Sequence, residues 1–223
     1  MSPSNIFSPD VYFFDVGHYN TTSELKSFLT YLKYQKTPAP LIFSHIECEG
    51  KLIDKMTLLQ NIFLTLPTLE RANTPEDFLQ LIKKTDNNSL MCLSNQIKDF
   101  NVYPEDVTFN TIKIVQIIKG LLKRSKYIFV DMPEVNLMNH QLATFAKALE
   151  HNAKLFHQTI FVRTNLKIYF KNATQIVQRL PDGTFMQNQI NVQAFKSSLE
   201  NELAIKNEGY LKFVYNHQKN YAA

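Results

Sequence analysis

Two short apolar runs constrain the fold of this chain more than any other feature. Tyr127–Asp131 (YIFVD) and Thr159–Arg163 (TIFVR) are mostly apolar, without the polar alternation of a half-exposed strand. Strands buried on both faces have this pattern, and they occur in parallel sheets covered by helices. The segment 139–151 between the two runs has apolar residues at helical spacing. The runs therefore predict a strand–helix–strand unit and an α/β fold.

The rest of the chain extends this pattern. Further strands are predicted at 11–16 and 41–46, and Pro181-Asp182-Gly183 favours a hairpin between 175–180 and 184–187. Helices are predicted at 24–32, 57–66, 90–100, 104–123 and 192–205, with a capped start at Thr74-Pro75. This order predicts one domain over 1–223: a mainly parallel sheet flanked by helices, with a small helical subdomain inserted at about 68–104.

Composition excludes several classes of protein. No apolar run approaches the roughly 18 residues of a membrane-spanning helix, and residues 1–10 do not resemble a signal peptide. We therefore expect a cytoplasmic protein, peripheral at most to the inner face of a membrane. Cys48 and Cys92 are expected to be reduced core thiols. The net charge of +4 is too small to indicate a nucleic-acid partner.

Two polar clusters have simple interpretations. On a strand, His45, Glu47 and Glu49 face one way and Cys48 the other, so a solvated strand end is favoured over a metal site. A basic run predicts either cations at the end of a helix, which is favoured, or an anion-binding patch; its members are Lys113, Lys119, Lys123, Arg124 and Lys126.

Two longer segments carry a resemblance to a known family. Residues 52–66, LIDKMTLLQNIFLTL, are similar to the stretch that follows the Q-loop in ATP-binding-cassette (ABC) ATPases. Residues 120–137, GLLKRSKYIFVDMPEVNL, resemble the same family from the end of its signature helix through Walker B into the D-loop. The resemblance spans about 12–185 and implies a P-loop NTPase-like fold. The family strands that precede this point, and its adenine-stacking aromatic residue, are expected to be missing.

The phosphate-binding loop of that family has no counterpart here. With Gly17 on the first glycine of G-x-x-x-x-G-K-[ST], the motif's second glycine, lysine and magnesium ligand fall on Thr22, Ser23 and Glu24. A carboxylate at the positive end of a helix repels a triphosphate from the same N–H groups. Thr21 and Glu24 also fit a capping box, so the simpler interpretation is a capped helix start. Only 5 of 223 residues are glycine, which agrees with the loss of this loop.

Other positions of the family pattern have also lost their catalytic residues. Asp131 matches the Walker B aspartate, and we expect it to cap the sheet edge near Ser23 or a backbone N–H. Met132 replaces the glutamate that polarises the attacking water, and a thioether has no role as a base. Asn165 replaces the H-loop histidine, and Met138 replaces the D-loop aspartate.

The signature motif and the Q-loop are altered as well. The signature falls on 107–111, where Phe109 and Asn110 replace two glycines and block close backbone approach to a nucleotide. The Q-loop glutamine has no clear match, since Cys48 or Glu49 lies nearest.

These departures predict a catalytically inactive ABC ATPase-like protein without a cofactor. The resemblance implies as partners a membrane permease, an intact ABC ATPase or a second copy, and it is closest to systems of lipid transport and cell division. The predicted partner surface comprises Ile53, Met56, Leu59, Ile62 and Phe63. One alternative is a divergent subunit with residual ATP and magnesium binding, active beside a competent partner. Another is an interaction module unrelated to transport.

Overall fold

The computed structural model describes residues 7–15, 21–34, 42–64, 66, 74–173 and 175–190. The chain divides into two compact units, Met1–Asn188 and Gln189–Ala223, and the features below belong to the first, apart from the last residue of the final strand. Its strands are β1 Val11–Asp15, β2 Phe43–Ile46, β3 Tyr127–Asp131, β4 Thr159–Arg163, β5 Gln175–Arg179 and β6 Phe185–Gln189. Its helices are α1 Thr21–Tyr34, α2 Leu58–Phe63, α3 Pro75–Lys83, α4 Asn88–Ser94, α5 Phe109–Leu122 and α6 Asn139–Leu155. No helix in the described ranges has the length and apolarity needed to cross a membrane.

The strands form one sheet in the order β2-β3-β4-β1-β5-β6. The pairs β2–β3, β3–β4, β1–β4 and β1–β5 are parallel. The turn after β5 closes with Leu180 N–H donating to Thr184 O at 2.8 Å, and Gly183 adopts a positive φ of 84° there. The predicted mainly parallel α/β fold is confirmed, and so is the hairpin.

Aromatic rings fill the core between the sheet and α1. Phe28 of α1 is fully buried, and its ring lies 5.0 Å from Phe14, 4.9 Å from Phe161 and 4.8 Å from Phe185. These rings come from different strands, which α1 therefore holds against one another. Edge-to-face and tilted ring pairs of this kind add to the stabilisation from apolar burial.

Helices α2, α3 and α4 occupy the connection from β2 to α5. Thr57 caps α2 through a capping box with Gln60, and the Thr74 hydroxyl caps α3 by accepting from Asp77 N–H at 3.1 Å. The insert has its own apolar core, in which the Phe78 ring packs 5.9 Å from Phe63 and 4.8 Å from Phe100.

This core corrects the predicted partner surface. Leu59, Ile62 and Phe63 are all buried among the helices of the insert, because the apolar stripe of α2 faces inward. Ile53 is 44% exposed and Met56 is partly exposed. Only these two residues of the predicted set remain on the surface.

Three further predictions change in the structure. The helix predicted at 104–123 is divided into a 3-10 turn at Pro104–Asp106 and α5, because the extended Thr108 caps α5 by accepting from Thr111 N–H. The helix predicted at 90–100 is shorter and earlier, as α4. Cys92 is exposed and Cys48 half-buried, so the prediction that both are core thiols is wrong. The helix predicted at 192–205 lies outside the described residues.

Candidate functional site

The carboxyl ends of β3 and β4 place a carboxylate beside a guanidinium. Asp131 and Arg163 end these strands and lie opposite each other in the sheet register. Arg163 Nε donates to Asp131 Oδ1 at 2.5 Å, with 25% and 11% of the respective side chains exposed. The expected partner of Asp131 was Ser23 or a backbone N–H, and the sequence reasoning missed this arginine. Asp131 is therefore already neutralised by a cation of the protein itself.

A second ion pair lies at the start of α1. Glu24 is 2% exposed, and its Oε1 accepts from Arg179 Nη1 at the end of β5. Its Oε2 has no hydrogen-bond partner among the described residues. The β1–β5 pairing brings Arg179 to this helix end. The side chain of Thr21, the other member of the predicted capping box, lies outside the described residues, so the capping box stays a prediction. Gly17 lies outside the described residues, and Thr22 and Ser23 are placed only as part of the helix backbone.

Met132 and Asn165 meet just beyond these strand ends. Asn165 Nδ2 lies 3.7 Å from Met132 Sδ, and Met132 holds a positive φ of 42° while its N–H donates to Arg163 O at 2.8 Å. Glu134, which the sequence reasoning missed, accepts from Thr164 Oγ1 at 2.8 Å and from Asn165 N–H at 2.7 Å. Both Glu134 oxygens therefore hold the loop after β4. A thioether and an amide supply no base here.

The two positions that replace the signature glycines differ in their side chains. One side chain is exposed, and the other forms hydrogen bonds within the chain. Phe109 is 72% exposed at the start of α5. Asn110 Nδ2 donates to Asn136 O at 2.7 Å and to Gln141 Oε1 at 2.6 Å, and Gln141 Nε2 donates to Gln96 Oε1 at 2.6 Å. The amide of Asn110 is thus committed to contacts within the chain.

Lys113 is fully buried in α5, and its ammonium faces the loop after β2. Its Nζ donates to the carbonyl oxygen of Glu47 and, at 3.2 Å, to that of Cys48. Burial is the main cause that lowers the pKa of Lys113 from 10.5 to about 8. The prediction that placed Lys113 among the cations at the surface is corrected. Arg124 of the same basic run stacks on the Phe156 ring at 4.9 Å.

The segment 45–49 carries no metal-binding geometry. No group of three or more His, Cys, Asp or Glu residues in the described ranges is arranged to hold a metal ion. Burial lowers the pKa of His45 and raises the pKa of the Cys48 thiol. The neutral forms of both side chains are therefore favoured.

A magnesium nucleotide does not fit the described residues at the positions that the resemblance assigns to it. Arg163 holds the Asp131 carboxylate that would bind the metal, and Arg179 holds the Glu24 carboxylate at the metal-ligand position. Glu24 Oε2 accepts no hydrogen bond from the described residues, and it offers a phosphate no donor, because a carboxylate accepts hydrogen bonds only. The two ion pairs leave both carboxylates neutralised within the protein.

Comparison with known proteins links this geometry to one fold. No family model matches the chain, and no curated protein matches it. Solved structures do match. The ATP-binding subunit of an ABC transporter superposes with a TM-score of 0.59 at 10% identity, over 89% of this chain and 88% of that one. An inward-facing structure assigned to the metal-chelate type of ABC transporter gives 0.54 at 12% identity, over 82% and 73%.

A third match is a dimeric ATP-binding cassette in a post-hydrolysis state with ADP and phosphate bound. It superposes with a TM-score of 0.53 at 14% identity, over 81% of this chain and 84% of that one. All three superpose over more than four fifths of this chain. The chain therefore has the fold of the ATP-binding subunits of ABC transporters.

Proposed function

We propose that this chain is an ABC transporter ATP-binding-subunit-like protein that does not hydrolyse ATP. It serves as a structural or regulatory partner of a membrane permease or of an intact ATP-binding subunit. The observation that carries this proposal is the ion pair of Asp131 with Arg163 at 2.5 Å. A guanidinium takes the place that a metal ion would need, so the carboxylate is used for structure.

The loss of the remaining catalytic groups supports inactivity. A single catalytic group is commonly worth a factor of about 10² or more in rate, although such effects are not additive. Met132 and Asn165 supply neither a base nor an imidazole, and Glu24 stands where a hydroxyl would be. Hydrolysis at a useful rate would require other groups of the protein to take over all of these missing roles.

The exposed apolar residues support a protein partner. Phe109 is 72% exposed and Met138 is 55% exposed, at the positions matched to the signature motif and the D-loop. We assign to these two residues the contact with an intact ATP-binding subunit or a second copy. Ile53 and Met56 are the exposed remainder of the surface expected to meet a permease.

The setting of the protein follows from the same proposal. A permease partner places the chain in the cytoplasm, peripheral at the inner face of the membrane. Lipid transport is the class of system that the resemblance of 52–66 favours. No cofactor is expected.

Nucleotide binding is the direct test of inactivity. The full chain is titrated with a fluorescent ATP analogue in the presence of Mg²⁺, and no saturation is expected up to about 1 mM, a standard free energy near −4 kcal/mol. Micromolar affinity would overturn the proposal and would favour the divergent subunit with residual ATP binding. The same titration with Arg163→Met tests whether the ion pair prevents nucleotide binding. Removing the guanidinium frees the Asp131 carboxylate, so the first expected change is in the binding of Mg²⁺.

Affinity capture from detergent-solubilised membranes tests the partner. A permease or an ATP-binding subunit, identified by mass spectrometry, is the expected companion. Phe109→Asp should reduce recovery of an ATP-binding subunit, whereas the matched control Leu155→Asp, on an exposed position of α6, should not. Capture of proteins of another class alone would contradict the transport role and favour a free-standing interaction module.

A further inference from the structure

A cleft of about 630 Å³ lies at the edge of the sheet, between β2 and α5. This volume is within the roughly 300–1,000 Å³ of small-molecule sites. Ile42 and Phe43 supply apolar wall, and the polar groups come from α5 and from the residues that end and follow β2. None of the lining residues is one of the positions matched to the nucleotide site, so the cleft is a separate feature of the molecule.

The charge in the cleft is unbalanced. Three lysines, Lys51, Lys119 and Lys123, line it together with one carboxylate, that of Glu47. His45 Nδ1 lies 3.9 Å from Glu47 Oε1, and burial lowers the pKa of His45, which favours its neutral form. Within the described part of the chain, no carboxylate forms an ion pair with any of the three lysines. Among the described lining residues, the lysines therefore exceed the carboxylate by two charges.

Two lysines of α5 lie at this cleft, and one of them is held in place by a hydrogen bond. Lys119 is half-buried and lies one helical turn before Lys123, on the same side of the helix as Gln116. Lys123 Nζ donates to Phe43 O at 3.0 Å, which holds that ammonium beside the edge of β2. The pKa of Lys119 is lowered by burial first and by the Lys123 charge second. The two cations repel each other at a place where water is partly excluded.

A buried hydrogen-bond acceptor lies about one helical turn before Lys119, on Gln116. Gln116 Oε1 has no hydrogen-bond partner among the described residues, and the side chain packs against Gly50, where an added Cβ would come within 2.8 Å of it. The cleft thus offers ammonium groups for an anion, and its wall at Gln116 holds a carbonyl oxygen with no donor among the described residues. Ligands that carry a phosphate match the ammonium groups of this cleft.

We infer that the cleft binds a phosphate-bearing ligand through Lys119 and Lys123, with Lys51 at its outer rim. A compact ammonium is a suitable point charge for a phosphate oxygen, and an anion here would relieve the repulsion between the two lysines. The phosphate belongs either to a soluble small molecule or to a lipid headgroup, which present the same chemistry. This inference goes beyond the proposed function and does not depend on it.

Binding of defined phosphates to the full chain tests the site. Inorganic phosphate and glycerol 1-phosphate are titrated at low ionic strength by calorimetry, and vesicles of phosphatidylcholine with and without phosphatidylglycerol are used in sedimentation. Saturable binding is expected, weakened about tenfold or more by Lys119→Gln. The matched control is Lys147→Gln, an exposed lysine of α6 outside the cleft, which should leave binding unchanged.

Each outcome decides the question. Binding of the soluble phosphates that is lost in Lys119→Gln supports the site and assigns a soluble ligand. Binding only to vesicles that contain phosphatidylglycerol, with the same loss, supports it and assigns a lipid headgroup. No saturable binding of either kind, or an equal loss in Lys147→Gln, overturns the inference. If Lys119→Gln fails to fold, the exposed Lys51→Gln reports on the same cleft with a smaller expected loss.

Discussion

The buried amine of Lys113 makes the free energy of unfolding depend on pH in the alkaline range. Its pKa is lowered from 10.5 to about 8 in the folded protein, chiefly by burial. Below pH 8 the amine is protonated in both states, and its burial lowers the free energy of unfolding. Between pH 8 and 10.5 the unfolded chain binds a proton that the folded chain does not, so the free energy of unfolding rises with pH. One pKa unit corresponds to about 1.4 kcal/mol, so the full effect is about 3 kcal/mol, of which about 2.5 kcal/mol falls between pH 7 and pH 10.

Urea unfolding at several pH values, followed by circular dichroism, measures this effect. Lys113→Met removes the titrating group, and the quantity of interest is the difference in free energy of unfolding between the two proteins. The thiol of Cys48 lies beside Lys113 and its pKa is raised, so both proteins carry Cys48→Ser to remove its titration. Tyr12 and Tyr127 are present in both proteins, and their titration cancels in the difference.

The expected result is a gain of about 2.5 kcal/mol for the lysine protein over the methionine protein between pH 7 and pH 10. Lys147→Met, at an exposed position, serves as control and should show a constant difference. A constant difference for Lys113→Met as well would refute the reasoning. It would mean that the folded protein keeps this amine protonated at no cost, as only a solvated or well-paired amine does.

Three further predictions concern the candidate site and the core. A double-mutant cycle of Asp131→Asn and Arg163→Met, by urea unfolding, should give a coupling energy of about 1–3 kcal/mol, and additive effects would argue against the ion pair. The double variant Ser23→Lys with Glu24→Ser should release no phosphate from ATP in a malachite-green assay, because the catalytic base is still missing; measurable release would contradict inactivity. Phe28→Ala should lower the free energy of unfolding by about 3–5 kcal/mol, since a buried ring is removed, and a loss below about 1 kcal/mol would show that α1 contributes little to the core.

Local patterns were sufficient to predict most of the secondary structure. The strands Tyr127–Asp131 and Thr159–Arg163 were predicted with the bounds that the structure shows, because an apolar run between polar residues has clear ends. The start of α3 was also predicted correctly, since Thr74 and Pro75 have geometric preferences that act within one turn. The position of Asp131 at a strand end could be predicted from the bounds of that strand alone.

The contacts that decide the chemistry were not predictable in this way. Arg163 lies 32 residues from Asp131 in sequence, and Arg179 lies 155 residues from Glu24. Each pair forms because the sheet order makes β4 a neighbour of β3 and β5 a neighbour of β1. An arginine at the last position of each neighbouring strand was the available signal, but it has meaning only once the order and register are known. The burial of Lys113 likewise depends on packing against the loop after β2.

The amide group of Gln141 has a mechanical consequence. It joins α6 to Gln96, which follows α4 in the insert, and to Asn110 at the start of α5. Turning the insert against α6 would break the bond between Gln141 and Gln96, which is worth about 1 kcal/mol net and more if the buried amide of Gln141 stays unpaired. A protein docked on the insert would therefore keep a fixed orientation relative to a protein docked near Phe109.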